Sequence, residues 1–402
     1  MKIIVVGGGV VGASIAWHLA RESAGEVTLL ERDRLGSGTT WHSAGNITWK
    51  PLPDHDAQII YALETIPRVE AESGRATGWL RTGRTFVARS ERSLADFAEF
   101  DRAARERGIA ARWLEPDETR RLSPLLDPAA ARGIWLNPLS GRVNPADLTA
   151  AYAAAARRAG ARIVEQAEVV RLALAGGSVV GVETADGRMA ADLVVVAAGL
   201  WSRDLLAGIG VALAQWACRH FYVIADVSPP PARDMPSFVA PDDLIYGREE
   251  VGRLLFGCFD EDAITLDPEE LPQPFSFTLL PPLWDKLAPY LERAIALIPA
   301  LERAGIRHFV NGPETFTPDG RPLIGRIAGV EGLILATALN STGVTWSAMT
   351  GALVADLAAG RAPRFDAARY DPLRFGAKAA DVDWLKRQVS AIVSSGYRSL
   401  GR

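Results

Sequence analysis

The sequence is poor in the residues that build disulfide frameworks and metal sites. Its 402 residues include two cysteines, Cys218 and Cys258, and their wide separation matches neither a disulfide scaffold nor a metal-binding motif. The five histidines are scattered along the chain, whereas zinc ligands recur at short and regular spacings. We therefore predict a protein without a metal site.

An excess of basic residues is also missing. Lys and Arg together number 44, against 48 Asp and Glu, for a formal net charge of −4. Nucleic-acid-binding domains usually carry a basic excess. The first residues form an apolar strand that runs into glycines, which is unlike a secretory signal. These absences predict a cytoplasmic protein that binds no nucleic acid.

One long uncharged segment must be weighed against a membrane span. Twenty-four uncharged residues lie between Glu331 and Asp356, which is long enough to cross a bilayer. Polar residues interrupt the segment at its centre, where the sequence reads Asn340-Ser341-Thr342-Gly343. We therefore predict a buried strand over 333–336, a polar turn and a helix over 346–358, and no transmembrane segment.

The features that are present begin with a βαβ pattern at the N-terminus. Residues 3–6 are all apolar, as in a strand that is buried on both faces of a parallel sheet. Residues 13–22 have the periodicity of a helix, and residues 26–31 form a second strand. The motif Gly7-x-Gly9-x-x-Gly12 joins the first strand to the helix.

This glycine motif predicts a dinucleotide-binding site. Gly7 allows a tight turn, Gly9 lets a pyrophosphate approach the backbone, and Gly12 lets the helix lie close to the strand. The phosphates would then lie at the helix N-terminus, where backbone N–H groups are free. Glu31 ends the second strand at the distance expected for an acid that binds ribose hydroxyls.

Two further glycine-bearing segments favour FAD over a nicotinamide cofactor. A buried strand ends in residues 196–202, and residues 317–325, with Gly320 at a turn, precede the last strand and helix. An extended ligand that lies across a whole domain needs several close backbone approaches of this kind. A nicotinamide enzyme would not need the last of them.

The chain as a whole predicts an α/β fold with two interleaved domains. Segments 1–50, 144–215 and 310–365 are predicted to form a Rossmann-type, glutathione-reductase-like FAD-binding domain. Segments 51–143 and 216–309 are predicted to form an α+β substrate-binding domain built on an antiparallel sheet. Residues 366–402 are predicted to be a helical C-terminal extension.

Three stretches carry a family resemblance: residues 36–45 (GSGTTWHSAG), Tyr246-x-Arg248-x-Glu250, and residues 311–319 (NGPETFTPD). Over about residues 1–370 the chain resembles the FAD-dependent amine and amino-acid oxidoreductases that include D-amino-acid, glycine and sarcosine oxidases. It is most similar to their dimethylglycine and sarcosine dehydrogenase branch. The cysteine that tethers flavin in some members is absent before the Thr-Pro-Asp stretch, which argues against the monomeric sarcosine oxidase subgroup. No folate-binding domain follows within the 402 residues, so coupling of formaldehyde to folate is not expected.

The resemblance implies a covalently attached flavin. In the dehydrogenase branch, the histidine of the Trp-His-x-Ala-Gly stretch bonds to the flavin 8α-methyl group, and His42 occupies that place here. Eleven positions separate Glu31 from His42, and about 36 Å of extended chain lets both reach one FAD. The alternative is a loop histidine that packs near the ring without a bond.

The turn before the last helix completes the predicted cofactor site. A helix N-terminus directed at the flavin would stabilise the negative charge gained on reduction; the alternative is an ordinary capped helix. The glycine motif, this turn and the resemblance together predict FAD contacts from Gly7, Gly9, Val10, Val11, Gly12, Glu31, Arg32, Gly38, Thr39, Thr40, His42, Ser43, Ala44, Gly45, Val169, Ala198, Gly199, Trp201, Gly320, Ser341, Thr342, Gly343, Val344 and Thr345.

Substrate contacts are predicted on strands of the second domain. Tyr246 and Arg248 are two residues apart and therefore share one strand face, and the planar fork of an arginine matches a carboxylate. In the resembling family, such groups hold substrate carboxylates over the flavin. The alternative is a structural Arg248 that pairs with Glu249 or Glu250.

Other substrate candidates lie nearby. His220 and Tyr222 share one face of a neighbouring strand, so they could line the same cavity. Arg321 and Trp346 are weaker candidates. We give Tyr246, Arg248, His220 and Tyr222 the catalytic or substrate-binding role.

The implied reaction is oxidation of the C–N bond of a small secondary amine or amino acid, such as an N-methyl amino acid like sarcosine or dimethylglycine. Hydride transfer to FAD N5 gives an imine that hydrolyses. Oxygen, or an electron-carrier protein or quinone, would accept the electrons. Two alternatives stay open: a D-amino-acid dehydrogenase with non-covalent FAD, and a flavin-binding subunit of a hetero-oligomeric amine dehydrogenase. A homo-oligomer is equally compatible with the sequence.

Overall fold

The structure of the protein is a computed structural model that describes residues 1–52 and 55–396. Residues 53–54 and 397–402, which belong to the predicted second domain and C-terminal extension, lie outside the described residues. The strands of the described part are β1 (Lys2–Val6), β2 (Glu26–Leu30), β3 (Asn46–Ile47), β4 (Arg84–Ala88), β5 (Arg112–Trp113), β6 (Gly133–Asn137), β7 (Gly141–Arg142), β8 (Arg162–Val164), β9 (Val169–Ala175), β10 (Ser178–Thr184), β11 (Gly187–Ala190), β12 (Leu193–Val196), β13 (Trp216–Asp226), β14 (Ser237–Ala240), β15 (Ile245–Glu250), β16 (Arg253–Cys258), β17 (Thr265–Leu266), β18 (Gly305–Phe316), β19 (Leu323–Arg326) and β20 (Leu333–Thr337). Its α-helices are α1 (Val10–Arg21), α2 (Asp56–Ser73), α3 (Glu91–Glu106), α4 (Pro116–Leu122), α5 (Pro145–Arg158), α6 (Ser202–Ala207), α7 (Trp284–Ile295), α8 (Gly343–Ala358) and α9 (Val382–Ser394).

The first sheet explains why β1 is entirely apolar after Lys2. Its order is β19–β20–β12–β1–β2–β8, and all neighbours run parallel except β19 and β20. Ile3 and Val5 lie in a core cluster with α1, α5 and α8, whereas Ile4 and Val6 lie in a cluster with the meander β9–β10–β11. Alternate side chains point to opposite faces of a strand, so β1 is buried on both.

The second sheet joins strands that are far apart in sequence. Its order is β17–β13–β16–β15–β14–β4–β6–β5, and β18 also pairs with β13. Its pairings are antiparallel except β4 with β14. The parallel first sheet and the mainly antiparallel second sheet confirm the predicted α/β fold class.

The two faces of the second sheet have different partners. Phe221, Val223 and Phe256 lie in a core cluster with Leu287 and Tyr290 of α7, which covers the outer face. The opposite face carries the side chains that alternate with these, and it meets the first sheet. The register places Tyr222, Gly257, Tyr246, Val239 and Phe86 in one row across it.

Several boundaries differ from the predicted ones. The strand β2 ends at Leu30, one residue before the predicted end at 31, and α8 begins at Gly343, three residues before the predicted start at 346. The strand β18 crosses the predicted domain boundary at 309/310 and pairs with β13 along its length. The division into domains itself stays a prediction.

The end of the chain contains helices, and none of the described ones suits a membrane. Leu385, Val389 and Val393 of α9 pack against Trp216 and Cys218 at the start of β13. The long uncharged segment forms β20, a turn and all but the last three residues of α8. The order of strand, turn and helix is the predicted one. Along residues 1–52 and 55–396, no helix has both the length and the apolar character needed to cross a bilayer.

Candidate cofactor and substrate site

A large cavity opens at the carboxyl ends of the parallel strands, where α/β sheets usually bind ligands. It encloses about 1270 Å³, including solvent space at its mouth, and Val6, Leu30, Ala197 and Thr337 line it at the ends of β1, β2, β12 and β20. The predicted cofactor residues that line it are Gly7, Gly9, Val10, Val11, Glu31, Arg32, Gly38, Thr39, Thr40, Ser43, Val169, Ala198, Gly199, Trp201, Ser341, Gly343 and Val344.

The remaining predicted cofactor residues are not among those that line the cavity: Gly12, His42, Ala44, Gly45, Gly320, Thr342 and Thr345. Gly12 shows why such a residue still matters. A Cβ atom there would lie 1.9 Å from the carbonyl oxygen of Gly7, and Gly7 itself has φ +104°. The close approach of α1 to β1 therefore requires glycine at both positions.

The first turn of α1 is arranged to receive an anion. Gly9 is its N-cap and supplies no side chain, and no acidic residue occurs in the first turn. The hydroxyl of Thr40 accepts a hydrogen bond from the Val10 N–H at 3.1 Å. Free N–H groups and the helix dipole at such a terminus favour a phosphate.

Glu31 lies at one end of the same cavity. Its two carboxylate oxygens accept hydrogen bonds from the N–H groups of Gly8 at 2.6 Å and Asp33 at 2.9 Å, and burial raises its pKa. Each oxygen keeps a lone pair for a ligand hydroxyl. The guanidinium of Arg32 lies 3.7 Å above the Trp201 ring, so these two predicted residues close that end together.

The N-terminus of α8 faces another part of the cavity. The turn before it is strained, with positive φ at Ala338, Asn340 and Ser341. The Thr342 hydroxyl bonds back to the Leu339 carbonyl and gives the helix no side-chain cap. Two helix N-termini whose own N-cap residues make no side-chain cap face one cavity, which fits a long ligand with a pyrophosphate and a second group that gains negative charge. FAD has both.

His42 lies at the boundary between this cavity and the second sheet. It is 4% exposed, and burial lowers its pKa to about 4, so the imidazole is neutral. Its Nε2 atom has no hydrogen-bond partner among the described residues. A Cβ atom at position 312 would lie 2.5 Å from the His42 Cε1 atom, so Gly312 makes room for the ring. A neutral, unpartnered imidazole can act as a nucleophile.

Three of the four predicted substrate residues come together on the inner face of the second sheet. His220 Nε2 and the Tyr246 hydroxyl are 3.0 Å apart, and their rings are stacked. Tyr222 lies two residues from His220 on β13, in the same row as Tyr246. Gly257 lies between the two tyrosines, and a Cβ there would be 2.2 Å from the Tyr246 ring. Burial raises the pKa of both tyrosines, which stay protonated.

Arg248 is committed to protein partners. Its Nε donates to the Ala44 carbonyl at 2.7 Å, and its Nη1 donates to the Glu249 carbonyl and pairs with Glu250 at 2.5 Å. Glu249 itself pairs with Arg142. The structure therefore contains the alternative in which Arg248 pairs with Glu250. Through the Ala44 carbonyl, the same side chain holds the loop that carries His42.

The two weaker candidates differ in their surroundings. Trp346 is buried at the start of α8, its ring packs edge-on against His55 at 5.2 Å, and its Nε1 has no partner in the described part of the chain. Arg321 lies in the turn after β18, where its N–H bonds to Asp319 and its carbonyl accepts from Thr317 and Arg374. Arg321 therefore belongs to a structural turn.

Sequence reasoning missed three charged residues, of which Glu314 and Arg84 are buried and Lys50 is half-buried. Glu314 lines the cavity, and its Oε2 has no partner among the described residues; its place inside the 311–319 stretch was the available signal. Arg84 and Lys50 lie near the inner face of the second sheet, and a charged residue opening an otherwise apolar strand was the signal for Arg84. Within residues 1–52 and 55–396, no group of three or more His, Cys, Asp or Glu could hold a metal ion.

Comparison with known proteins agrees with this geometry. A model of the family described as FAD dependent oxidoreductase matches residues 2–357. The chain is 34% identical to 4-methylaminobutanoate oxidase (formaldehyde-forming) of Paenarthrobacter nicotinovorans, over 96% of the chain and 47% of the relative. It is 30% identical to mitochondrial sarcosine dehydrogenase of Mus musculus, over 98% and 44%. The chain therefore spans about half the length of these curated relatives.

A solved structure gives the same result. Glycine oxidase from Geobacillus kaustophilus superposes with a TM-score of 0.76 and 26% sequence identity, covering 93% of this chain and 99% of that one. The resemblance predicted from residues 36–45, 246–250 and 311–319 is thereby confirmed.

Proposed function

The chain belongs to the FAD dependent oxidoreductase family, and from that premise we propose that it oxidises the C–N bond of a small secondary amine or amino acid. One juxtaposition carries the proposal. Gly312 contacts the His42 ring and is paired across the β-ladder with His220. A ligand on the aromatic sheet face therefore lies beside the end of the cofactor cavity.

The chain's own residues fit FAD in three places. The N-terminus of α1 would bind the pyrophosphate, Glu31 a ribose, and the N-terminus of α8 the pyrimidine edge of the flavin. His42 would bond to the flavin 8α-methyl carbon through its neutral nitrogen, while the imidazole and methyl protons would pass to water and the electron pair of the broken C–H bond to the electron acceptor. When bound, FAD supplies the electron-pair acceptor for the reaction, and the protein supplies orientation and electrostatics.

The aromatic wall would prepare the substrate amine. The amine must lose its proton before its lone pair can assist removal of hydride from the adjacent carbon. Tyr222, Tyr246 and His220 form a largely dehydrated surface, and desolvation lowers the pKa of an ammonium group. When Tyr246 donates its O–H to His220, its oxygen remains free to accept an N–H from the substrate and to orient the lone pair. Positioning of the C–H bond would supply much of the acceleration.

The product would be an imine that water hydrolyses to an aldehyde or keto acid and an amine. An N-methyl amino acid of the sarcosine or 4-methylaminobutanoate type is the substrate that the names of the curated relatives favour. Oxygen or an electron carrier would accept the electrons. We place the reaction in the cytoplasm, in a homo-oligomer or hetero-oligomer.

One observation favours a second candidate. His42 is not among the residues that line the large cavity. A D-amino-acid dehydrogenase with non-covalent FAD would have the same fold and need no bond at this position.

The test begins with the purified holoenzyme on a denaturing gel. Covalent attachment predicts yellow flavin fluorescence in the protein band, and its loss in His42→Ala. The same preparation is then mixed anaerobically with sarcosine, dimethylglycine, 4-methylaminobutanoate, proline and D-amino acids. We expect an N-methyl amino acid to bleach the flavin. Bleaching by dithionite alone would overturn amine oxidation, and bleaching only by D-amino acids would favour the second candidate.

A further inference from the structure

Arg84 is a buried cation to which the described part of the chain offers no acid partner. It opens β4, alternates with residues that face α7, and so lies on the inner face of the second sheet with Phe86. The residue is 6% exposed. Its Nε has no hydrogen-bond partner in the described residues, and its one bonded contact is Nη1 to the Ser237 hydroxyl at 3.5 Å.

Lys50 lies close to it and has no ion-pair partner within residues 1–52 and 55–396. The Asn137 side chain donates to the Trp49 carbonyl at 2.7 Å, and Asn137 is the direct cross-strand partner of Arg84. The backbone beside Lys50 is therefore held near the first residue of β4, Arg84. Lys50 is half-buried, and no hydrogen bond or ion pair links it to another described residue. Burial and Arg84 lower the pKa of Lys50 to about 8, and burial lowers that of Arg84 to about 10.

The two cations lie outside the cofactor cavity. Neither residue lines the cavity that α1 and α8 face. Arg84 lies on the sheet face that carries Tyr246, and its guanidinium is close enough for its charge to act on the Tyr246 hydroxyl. Tyr246 in turn contacts His220. The cations therefore lie next to the aromatic wall.

A buried and a half-buried positive charge that have no counter-ion among the described residues are costly unless a ligand supplies the negative charge. An arginine fork next to a lysine suits a planar carboxylate. We propose that Lys50 and Arg84 form the site for a carboxylate on the substrate, and that Arg248 does not. Building on the proposed function, the substrate class narrows to amines that carry a carboxylate, and esters or amides of the same amines are rejected.

The test uses probes that bear the carboxylate but no amine. Binding of acetate, propanoate and butanoate to the holoenzyme is measured by calorimetry, with the corresponding amides as controls. We expect the best carboxylate to bind, its amide to bind at least about thirtyfold more weakly, and Lys50→Met and Arg84→Met each to weaken the carboxylate about thirtyfold or more. Arg89→Gln is the matched control, since Arg89 follows β4 and pairs with Asp243; it should leave affinity unchanged.

A thermal measurement separates a binding role from a structural one. Removal of an unpaired buried charge should leave the melting temperature of ligand-free Arg84→Met at or above that of the parent. The carboxylate should raise the melting temperature of the parent and of Arg89→Gln, but not of Arg84→Met. If Arg84→Met does not fold, Lys50→Met and the charge-retaining Arg84→Lys, which lacks the fork, replace it in both measurements.

These measurements can overturn the carboxylate site without overturning the proposed function, and the reverse. Equal affinity of the parent and both cation variants for the carboxylate, or equal affinity of acid and amide, overturns the site. Carboxylate binding that depends on Lys50 and Arg84, in a protein whose flavin no amine bleaches, supports the site and overturns amine oxidation instead.

Discussion

The cofactor cavity and the inner face of the second sheet are built in different ways. The cavity is made mainly by backbone at strand ends and helix N-termini, with glycines at Gly7, Gly9 and Gly12 and a single acid, Glu31, at fixed sequence spacing. The sheet face is made by side chains from β4, β13 and β15, which only the strand register brings together. The cofactor site is therefore built largely from residues at fixed sequence spacing, whereas the substrate site depends on the pairing of strands that are far apart in sequence.

Two buried arginines on the same sheet face sharpen this difference. Arg248 is surrounded by the Ala44 carbonyl and Glu250, and Arg84 has one distant hydroxyl. Both are buried arginines in strands of the second sheet, and the sequence favoured the wrong one as a ligand contact if the carboxylate site proposed for Arg84 is correct. The presence of an acid partner marks Arg248 as a structural residue, and the lack of one among the described residues marks Arg84 as a candidate ligand contact.

The largest effect is expected where the cavity depends on backbone contact. Gly12→Ala places a Cβ 1.9 Å from the Gly7 carbonyl, so α1 must move away from β1. We expect a loss of about 3 kcal/mol or more in unfolding free energy, together with most of the bound FAD. Chemical denaturation and the flavin-to-protein ratio measure these. Gly305→Ala is the control because nothing lies within 4 Å of a Cβ there. A stable, flavin-replete Gly12→Ala would contradict the account of the cavity.

A smaller and more selective effect is expected at the junction of the two regions. Gly312→Ala puts a Cβ 2.5 Å from His42 Cε1 and 2.6 Å from Nε2, so the imidazole must turn away. The variant should bind FAD but retain it covalently at a level about tenfold lower. Gel fluorescence and total flavin after acid precipitation report the two fractions, again with Gly305→Ala as control. Undiminished attachment would show that this contact does not orient His42.

On the sheet face, pH should act through Lys50. A bound carboxylate stabilises the charged form of the Lys50 side chain, whose pKa without ligand is about 8. Affinity for the carboxylate should hold below pH 8 and fall about tenfold per pH unit above it, because binding then requires uptake of a proton. Lys50→Arg should move this decline to higher pH. A flat profile for the parent between pH 7 and 9.5 would be inconsistent with Lys50 as a ligand.

The smallest effect is expected at the aromatic wall. Tyr246→Phe removes the contact with His220 and should cost about 1 kcal/mol of stability, together with a lower rate of anaerobic flavin bleaching. Tyr290→Phe is the matched control on the opposite face, where the hydroxyl accepts from the Glu261 N–H at 2.6 Å. It should lose similar stability at an unchanged rate. Equal rates in both variants would mean that the Tyr246 hydroxyl does not contact the substrate.

Prediction from the sequence worked best for features with local causes. The βαβ unit, the close packing that needs Gly12 and the placement of Glu31 at the cavity all follow from spacing within 31 residues. Strand alternation also predicted that His220 and Tyr222 share one face, whereas their closeness to Tyr246 depends on the register of β13, β16 and β15. The start of α8 was set three residues late, since Gly343 and Val344 gave no capping signal.

Prediction failed where a residue's meaning depends on its neighbours in space. Lys50 lies in a loop, and Arg84 resembles the polar end of an ordinary strand. Their closeness depends on the hydrogen bond from Asn137 to the Trp49 carbonyl and on the pairing of β4 with β6. The role of Gly312 as the seat of the His42 ring depends likewise on a contact between residues 270 positions apart.

The amino-acid sequence by itself determined the family, the dinucleotide motif and the burial of β1, β12 and β20, because glycine conformation and apolar periodicity act over a few residues. Only the tertiary structure decided which charges are compensated and which are open to a ligand. Electrostatic compensation requires atoms within a few ångströms of each other, and in this fold those atoms come from strands and loops that the chain order keeps far apart.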